Sequence, residues 1–566
     1  MKPYRWKFIE LPSQELVEKL SQELSITTTL AKVLVYRNID TFEKARTYFR
    51  ASTEQLHNPF LLKGMEKAVE RILSAKKNNE KILVYGDYDV DGTNGTSLLY
   101  LFFKKELGCN VHYYIPDRIT EGYGITKTGI EYAHQNGFSL LVSVDCGITA
   151  VEQIEYANSF NINVVICDHH EPGEKIPNAI AVLNPLQKDC PYPFKYLCGC
   201  GVGFKLIQAL SSQLGNETLA YSYLDFVAIA SAADIVPLVD ENRILVKLGL
   251  ELINTQTRIG IKALLQSAGL QSKNISTNQI VFGIAPRINA VGRLGDAKRA
   301  VELLISENND EAKFLAAVLE KENTERRKID ENVFLHAQEI IEQEKNKYQD
   351  ALLLHHEEWH PGVIGIAASR LVEHHYLPTI MMTTVDGKIK GSARSISGFN
   401  IYNALKQCEN TLLQFGGHKY AAGLTLSPER LEEFRETFSS IIKEQLTDEL
   451  RTPQILIDAE IDLAELTPKT YRILKQFAPF GPHNMRPTFV ARNIEVVGQP
   501  RIVGKDHLQM KVRKNNVTFD CIGFSMKHFF PHITKKNISI AFSVDENDFN
   551  GIQTPQLRLK DIKIEP

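Results

Sequence analysis

No stretch of this 566-residue chain is apolar for long enough to cross a bilayer, and residues 1–7 lack the apolar core of a secretion signal. A cytoplasmic location without a membrane partner is the expectation. Cysteine is sparse too. The eight cysteines are scattered, several inside apolar runs at 143–146 and 165–167, which points to buried reduced thiols and not to a disulfide framework. Cys198 and Cys200 are closely spaced, but without a second pair they make a poor zinc site, and a Gly-rich turn opening a helix at 201–214 is expected instead. The phosphate loop G-x-x-x-x-G-K-[ST] is missing, which argues against nucleotide-driven motor work. No Ser-His-Asp arrangement, internal repeat or low-complexity tract stands out.

What is present is ordinary in composition, with 43% hydrophobic and 23% charged residues, as in folded globular proteins. The length exceeds what one core organises, so several domains are expected. The net charge of −3 hides an asymmetry. Residues 451–566 carry 17 Lys and Arg against 12 Asp and Glu, or +5, which leaves −8 for residues 1–450. Opposite signs in the two parts suggest a charged partner.

Apolar runs of strand length at 81–85, 111–115, 139–144 and 163–167 alternate with helical stretches at 95–107, 125–135 and 149–159. That alternation predicts βαβ units on a parallel sheet. Short helices are expected over 1–75, an α/β domain over 76–310, a long amphipathic helix within 311–345, a second α/β domain over 346–450, and a small β-barrel over 451–566. The fold class is therefore multidomain α/β.

Three carboxylates, Asp87, Asp89 and Asp91, crowd the turn after the first of these strands. Their repulsion disfavours a purely structural loop, whereas a hard divalent cation turns it into binding energy. A calcium loop of the EF-hand type is excluded because the apolar helix around Leu98 and Leu99 replaces its terminal Glu. Asp145 follows the strand 139–144, and Asp168-His169-His170 follows the strand 163–167. In open parallel sheets ligands gather beyond the carboxyl ends of strands, so the three motifs should converge. Each alone is weak, since a lone Asp after a strand is usually a helix cap and paired histidines are usually surface residues. Asp234 adds a carboxylate inside a mostly apolar run, where it calls for a cation. Five Asp and one or two His can hold two divalent ions, and hydrolysis of a phosphate ester is the leading chemistry.

In order, Asp87-Tyr88-Asp89-Val90-Asp91-Gly92, Asp145, Asp168-His169-His170 and Ala233-Asp234-Ile235-Val236-Pro237-Leu238 resemble the four motifs of the DHH phosphoesterases in their RecJ branch. Pro286-Arg287-Ile288-Asn289-Ala290-Val291-Gly292-Arg293 is similar to that branch's helical motif, and Gly391-Ser392-Ala393-Arg394-Ser395 with Gly416-Gly417-His418 to the DHH-associated domain. Pro479-Phe480-Gly481 resembles the start of its OB-fold. The resemblance covers nearly the whole chain. It implies a parallel-sheet DHH domain, a long connecting helix, an α/β DHH-associated domain and a C-terminal OB-fold β-barrel.

It also implies an exonuclease that hydrolyses single-stranded DNA 5′ to 3′ in repair and recombination, with two Mn²⁺ or Mg²⁺ ions. The implied metal ligands are Asp89, Asp91, Asp145, His169 and Asp234, with Asp87 a further candidate, and His170 and Asp168 would serve catalysis. Arg118, Ser392 and Arg394 would hold a 5′-terminal phosphate, and Arg287, Asn289, Arg293, Arg370, Gly416, Gly417 and His418 other parts of the strand. Each Arg has a surface ion pair as its plain alternative, evenly balanced for Arg370. A monomer is expected, with a single-strand-binding protein or a helicase as candidate partners. The metal-pyrophosphatase branch carries a His in the first motif where this chain has only carboxylates, which leaves the role of Asp87 open. Two other functions compete. A phosphodiesterase of short oligonucleotides or cyclic dinucleotides would be shorter and lack the terminal β domain, and a non-enzymatic DNA-binding scaffold would have lost ligands that are all present here. In the barrel, Phe480, Phe489, Phe524 and Phe549 are candidates for base stacking or for core.

Overall fold

The computed structural model describes residues 3–10, 13–118, 120–344, 348–533, 537–549 and 552–564. They form two compact units. One comprises residues 11–323 and 462–487, the other residues 1–10, 324–461 and 488–566. No described helix is long and apolar enough to cross a membrane.

The first unit is built on a five-stranded sheet, in the order Asn110–Tyr114, Lys81–Gly86, Leu140–Val144, Asn163–Cys167, Ala181–Leu183. All its pairings are parallel. Every residue of Leu140–Val144 is buried, as expected of a central strand covered on both faces. The two-residue period of a strand divides the core. Ile82, Val84, Leu140 and Val142 pack with Leu98, Phe102 and Phe204 of the helices Val90–Lys105 and Gly199–Gln213. Leu83, Tyr85, Leu141 and Ile166 pack with Ile130 and Ile154 of the helices Lys127–Gln135 and Val151–Ser159. Every parallel strand therefore delivers its carboxyl end, and the turn after it, to one edge of the sheet.

The same unit holds residues 462–487, although the sequence pattern groups them with the barrel. Their anchors are polar and backbone-directed. Arg243 donates to the carbonyls of Gln476 and Ala478, Thr277 Oγ1 to that of Phe480, and Leu238 N to that of Pro482.

In the second unit a mixed sheet runs Gln414–Gly417, Ala421–Leu426, Lys388–Arg394, Thr379–Val385, Leu352–His355. A closed five-stranded barrel is made by Phe489–Val503, His507–Lys514, Val517–Gly523, Ile552–Ile564 and Asn537–Phe549, the last pairing back onto the first. Phe489 is core, whereas Phe524 is half-exposed beneath the Arg558 guanidinium, 4.8 Å from its ring centroid. The side chain of Phe549 lies outside the described residues. The segment Arg5–Phe8 is a strand, not the helix expected of residues 1–75, because its parallel partner Gln454–Ile457 lies too far along the chain for a local pattern to show. The 35-residue helix Asn309–Gln343 runs from the residues of the first unit into those of the second.

Candidate metal centre

The turn after Lys81–Gly86 drops its three carboxylates at the carboxyl edge of the sheet. Asp89 caps the helix Val90–Lys105, accepting from Gly92 N at 3.0 Å. A Cβ on Gly92 would lie 2.5 Å from the Asp87 carbonyl, so only glycine lets the turn close this tightly. Asp91, two residues further, is buried, and its two oxygens accept from Gly199 N (2.6 Å) and Cys200 N (2.8 Å). These are the free N–H groups at the start of the helix Gly199–Gln213, where the helix dipole favours an anion. Cys198-Gly199-Cys200 thus opens a helix, as its spacing suggested. Both thiols are free.

Asp145 follows Leu140–Val144 in the left-handed region, φ +64°, and a side chain at Gly199 would come within 2.6 Å of its Cβ. Asp168 follows Asn163–Cys167 and is fully engaged. It accepts from Ile148 N (2.9 Å), His169 N (2.7 Å), His170 N (3.2 Å) and His170 Nδ1 (2.8 Å). His169 Nε2 points into the carboxylates, 3.2 Å from Asp145, 3.7 Å from Asp91 and 3.8 Å from Asp234. Asp234 arrives from the end of the helix Leu224–Ala233. Three groups of ligand atoms lie within 4.8 Å of one another: Asp87, Asp89 and Asp145; Asp145, His169 and His170; Asp91, His169 and Asp234.

The electrostatics show what the cluster needs. Burial, then the Asp89 charge, pushes the Asp87 carboxyl well above the usual range, and burial, then Asp91 and Asp89, does the same to Asp145. Burial, then Asp91, lifts Asp234 to about 8. Asp87 Oδ1 is buried without a hydrogen-bond partner among the described residues. Such a cluster must take up protons or a cation, and hard carboxylate oxygens with an imidazole suit Mn²⁺ or Mg²⁺. The residues present therefore fit a divalent metal site. His170 goes the other way. Burial lowers its pKa, but the Asp168 hydrogen bond and charge outweigh that and raise it to about 9.

Tyr123 is not among the residues that the sequence singles out. Its hydroxyl donates to the Asp145 carbonyl at 3.1 Å and sits 3.3 Å from the His170 ring. The available signal is its position between two glycines on the βα turn after Asn110–Tyr114, the turn that also carries Arg118. Both glycines, Gly122 and Gly124, have positive φ.

The Arg118 guanidinium covers the Tyr88 ring at 4.9 Å, and Arg293 also acts on the Tyr88 hydroxyl. The helix Ala285–Leu294 reaches this turn through Gly292, whose Cβ would meet the Tyr88 carbonyl at 2.6 Å. Asn289 is half-buried on that helix. Arg287 is buried and paired with Glu320. In the second unit Arg370 pairs with Asp330 (3.0 Å) and Glu331 (2.8 Å), with its guanidinium 3.9 Å from the centre of the Phe334 ring.

Ser392 and Arg394 belong to a different arrangement in the second unit. Arg394 donates to Ser392 Oγ (3.0 Å) and Ser369 Oγ (3.2 Å), forms no ion pair among the described residues, and has its pKa lowered by burial. A Cβ on Gly365, in the first turn of the helix Ile364–His375, would lie 2.8 Å from both Arg394 Nη2 and Ser392 Oγ. An arginine without an acid among the described residues, two hydroxyls and a helix N-terminus converge, a set of donors whose chemistry suits an anion. Ser392 stands in register with Gly423, and Gly423 with Gly416, and open space lies above both glycines. Gly417 has φ +141°, and His418 is exposed beside it.

Comparison with known proteins agrees with this layout. Family models match at residues 81–231 (DHH family, N-terminal domain), 347–444 (DHHA1 domain) and 457–561 (RecJ OB domain). The single-stranded-DNA-specific exonuclease RecJ of Bacillus subtilis (strain 168) is 38% identical over 565 residues, 99% of this chain and 71% of that protein. The crystal structure of RecJ from Thermus thermophilus in complex with Mn²⁺ superposes with a TM-score of 0.85 at 27% identity, covering 100% of this chain and 80% of that one. The Mg²⁺ complex from the same organism gives 0.77 at 26%, covering 100% and 79%. By sequence identity over nearly its whole length, and by its three domains, this chain belongs to the RecJ family of single-stranded-DNA-specific exonucleases.

Proposed function

We propose that this chain is a metal-dependent exonuclease that removes nucleotides from single-stranded DNA, 5′ to 3′, in repair and recombination. The observation that carries the reading is the sharing of Asp145 and His169 among the three ligand groups, which suits two adjacent cations. Asp87, Asp89, Asp91, Asp145, His169 and Asp234 would hold them. When bound, the two Mn²⁺ or Mg²⁺ ions supply Lewis acidity to the scissile phosphate and make water a competent nucleophile. His170, whose pKa the Asp168 hydrogen bond and charge raise to about 9, would offer a charge-assisted N–H to a phosphate oxygen. Asp168 is its positioning residue, holding the ring through Nδ1, and Tyr123 braces the same ring. The barrel supports a strand-holding role, with its excess of basic residues and Phe524 exposed beside Arg558.

In this reading residues 76–310 carry the chemistry, 311–345 connect, 346–450 read the strand end and 451–566 grip the strand, with 1–75 as a supporting segment. The enzyme works as a cytoplasmic monomer, and a single-strand-binding protein or a helicase would present its substrate. A small-oligonucleotide or cyclic-dinucleotide phosphodiesterase is not favoured, since the likeness to the RecJ of Bacillus subtilis extends over 99% of the chain.

The anion site at Arg394 supports recognition of a 5′-terminal phosphate. Replacing Arg394 by Ala is expected to reduce the preference for a 5′-phosphorylated over a 5′-hydroxyl end by about 10- to 100-fold, the value of a charge-assisted hydrogen bond. Degradation rates of 3′-labelled strands with the two ends measure it. Equal losses on both ends, or attack from the 3′ end, would count against the pocket and the polarity.

A further inference from the structure

Among the described residues with positive φ that are not glycine, one is β-branched: Ile235, at φ +61°. The others are Ser, Asn, Asp, Tyr or His. A β-branched side chain in this region is strained, and a helix that ends in it normally places Gly or Asn there. Ile235 holds that position, directly after Asp234, which caps the helix Leu224–Ala233.

Packing does not account for the isoleucine. Its neighbours Val236 and Leu238 are buried, but Ile235 itself is 63% exposed. The backbone around it is held firmly enough to sustain the strain. Leu238 N donates to the Pro482 carbonyl at 2.8 Å, and the buried Asn242 amide donates to the carbonyls of Pro237 (3.0 Å) and Tyr196 (2.5 Å). Tyr196 is itself 55% exposed and shares this anchor. A strained, exposed, apolar residue is thus pinned one position from a carboxylate of the metal cluster. A strained residue that the surrounding structure over-determines is a mark of function.

Resting on the function proposed above, we propose that Ile235 is a substrate-contacting residue, its side chain lying against the base of the nucleotide next to the scissile phosphate. Unstacked bases in a single strand present an apolar face, and an aliphatic side chain covers it without reading donors or acceptors. The contact would hold the terminal nucleotide in place whatever its base.

The test uses the full-length protein with Mn²⁺ and two substrates: a 5′-phosphorylated single strand, and the same strand with abasic sites at its first two positions. Ile235→Asn removes the apolar face while suiting a left-handed backbone. It is expected to raise KM for the intact strand by about tenfold. Removing the bases should raise KM for the wild type by a similar factor and do nothing further to the variant. Ile235→Met, which keeps an apolar face, should retain most of the wild-type KM. Because strain is relieved, the melting temperature of Ile235→Asn should be unchanged or higher by about 2 °C. A variant that melts several degrees lower and shows the same abasic penalty as the wild type would indicate a packing residue and overturn the inference. A wild type that leaves single-stranded DNA intact would overturn the functional reading itself.

Discussion

Replacing Asp145 by Asn is expected to lower kcat by about 10³-fold while raising the melting temperature of the metal-free protein. The loss follows from position. Asp145 belongs to two of the three ligand groups, and its removal takes an oxygen from both. Several kcal/mol of transition-state stabilisation from a metal pair corresponds to a loss of this order. The gain follows from charge. Burial and the neighbouring Asp91, Asp89, Asp87 and Asp234 hold the Asp145 carboxyl pKa far above its usual range. At neutral pH an unfolded Asp145 is ionised at no cost, whereas the folded one must take up a proton or bear the repulsion. The neutral amide removes that conflict, and Asn tolerates φ +64° where Ala would be strained. Calorimetry in chelator and turnover with Mn²⁺ measure the two effects. A folded variant with turnover within tenfold of the wild type would refute the assignment.

Mn²⁺ should bind this chain more tightly as pH rises from 6 to 8.5, and more steeply than to a pre-ionised site. Asp87, Asp145 and Asp234 have folded pKa values above their unfolded ones, Asp234 at about 8. A raised carboxyl pKa contributes stability that is fully present below the unfolded pKa near 4 and is lost as pH climbs through the folded value. The metal-free fold therefore weakens at this site toward pH 8, while a bound cation displaces the protons and reverses the trend. Each displaced proton contributes up to about tenfold in affinity per pH unit over the window where the site is protonated. Titration calorimetry at three pH values, in buffers of different ionisation enthalpy, reads both affinity and protons released. Affinity independent of pH, with no proton release, would contradict the electrostatics of the cluster.

The carboxylates were legible in the sequence because parallel strands announce themselves as apolar runs. Asp87, Asp145 and Asp168 each stand at the end of one, and topology then puts them on one edge. Partners were not legible where they come from distant segments. Asp91 takes its N–H donors from Gly199 and Cys200, and no spacing rule connects those positions. Tyr123 reaches Asp145 because a glycine-flanked loop folds back, which shows only in three dimensions. The same limit applies to charge. The sequence offers Arg287 and Arg370 as phosphate contacts, yet they hold Glu320, Asp330 and Glu331, whereas Arg394 has no acid partner among the described residues. At the fold level, Arg5–Phe8 became a strand, and residues 462–487 joined the first unit, through hydrogen bonds to segments hundreds of residues away.

The most direct measurement gives the purified chain a 5′-phosphorylated, 3′-labelled single strand and the matching blunt duplex, each with Mn²⁺ and with chelator. The account predicts stepwise loss of nucleotides from the single strand with Mn²⁺, none with chelator, and little attack on the duplex. Equal degradation of single strand and duplex, or degradation that survives chelation, would contradict it.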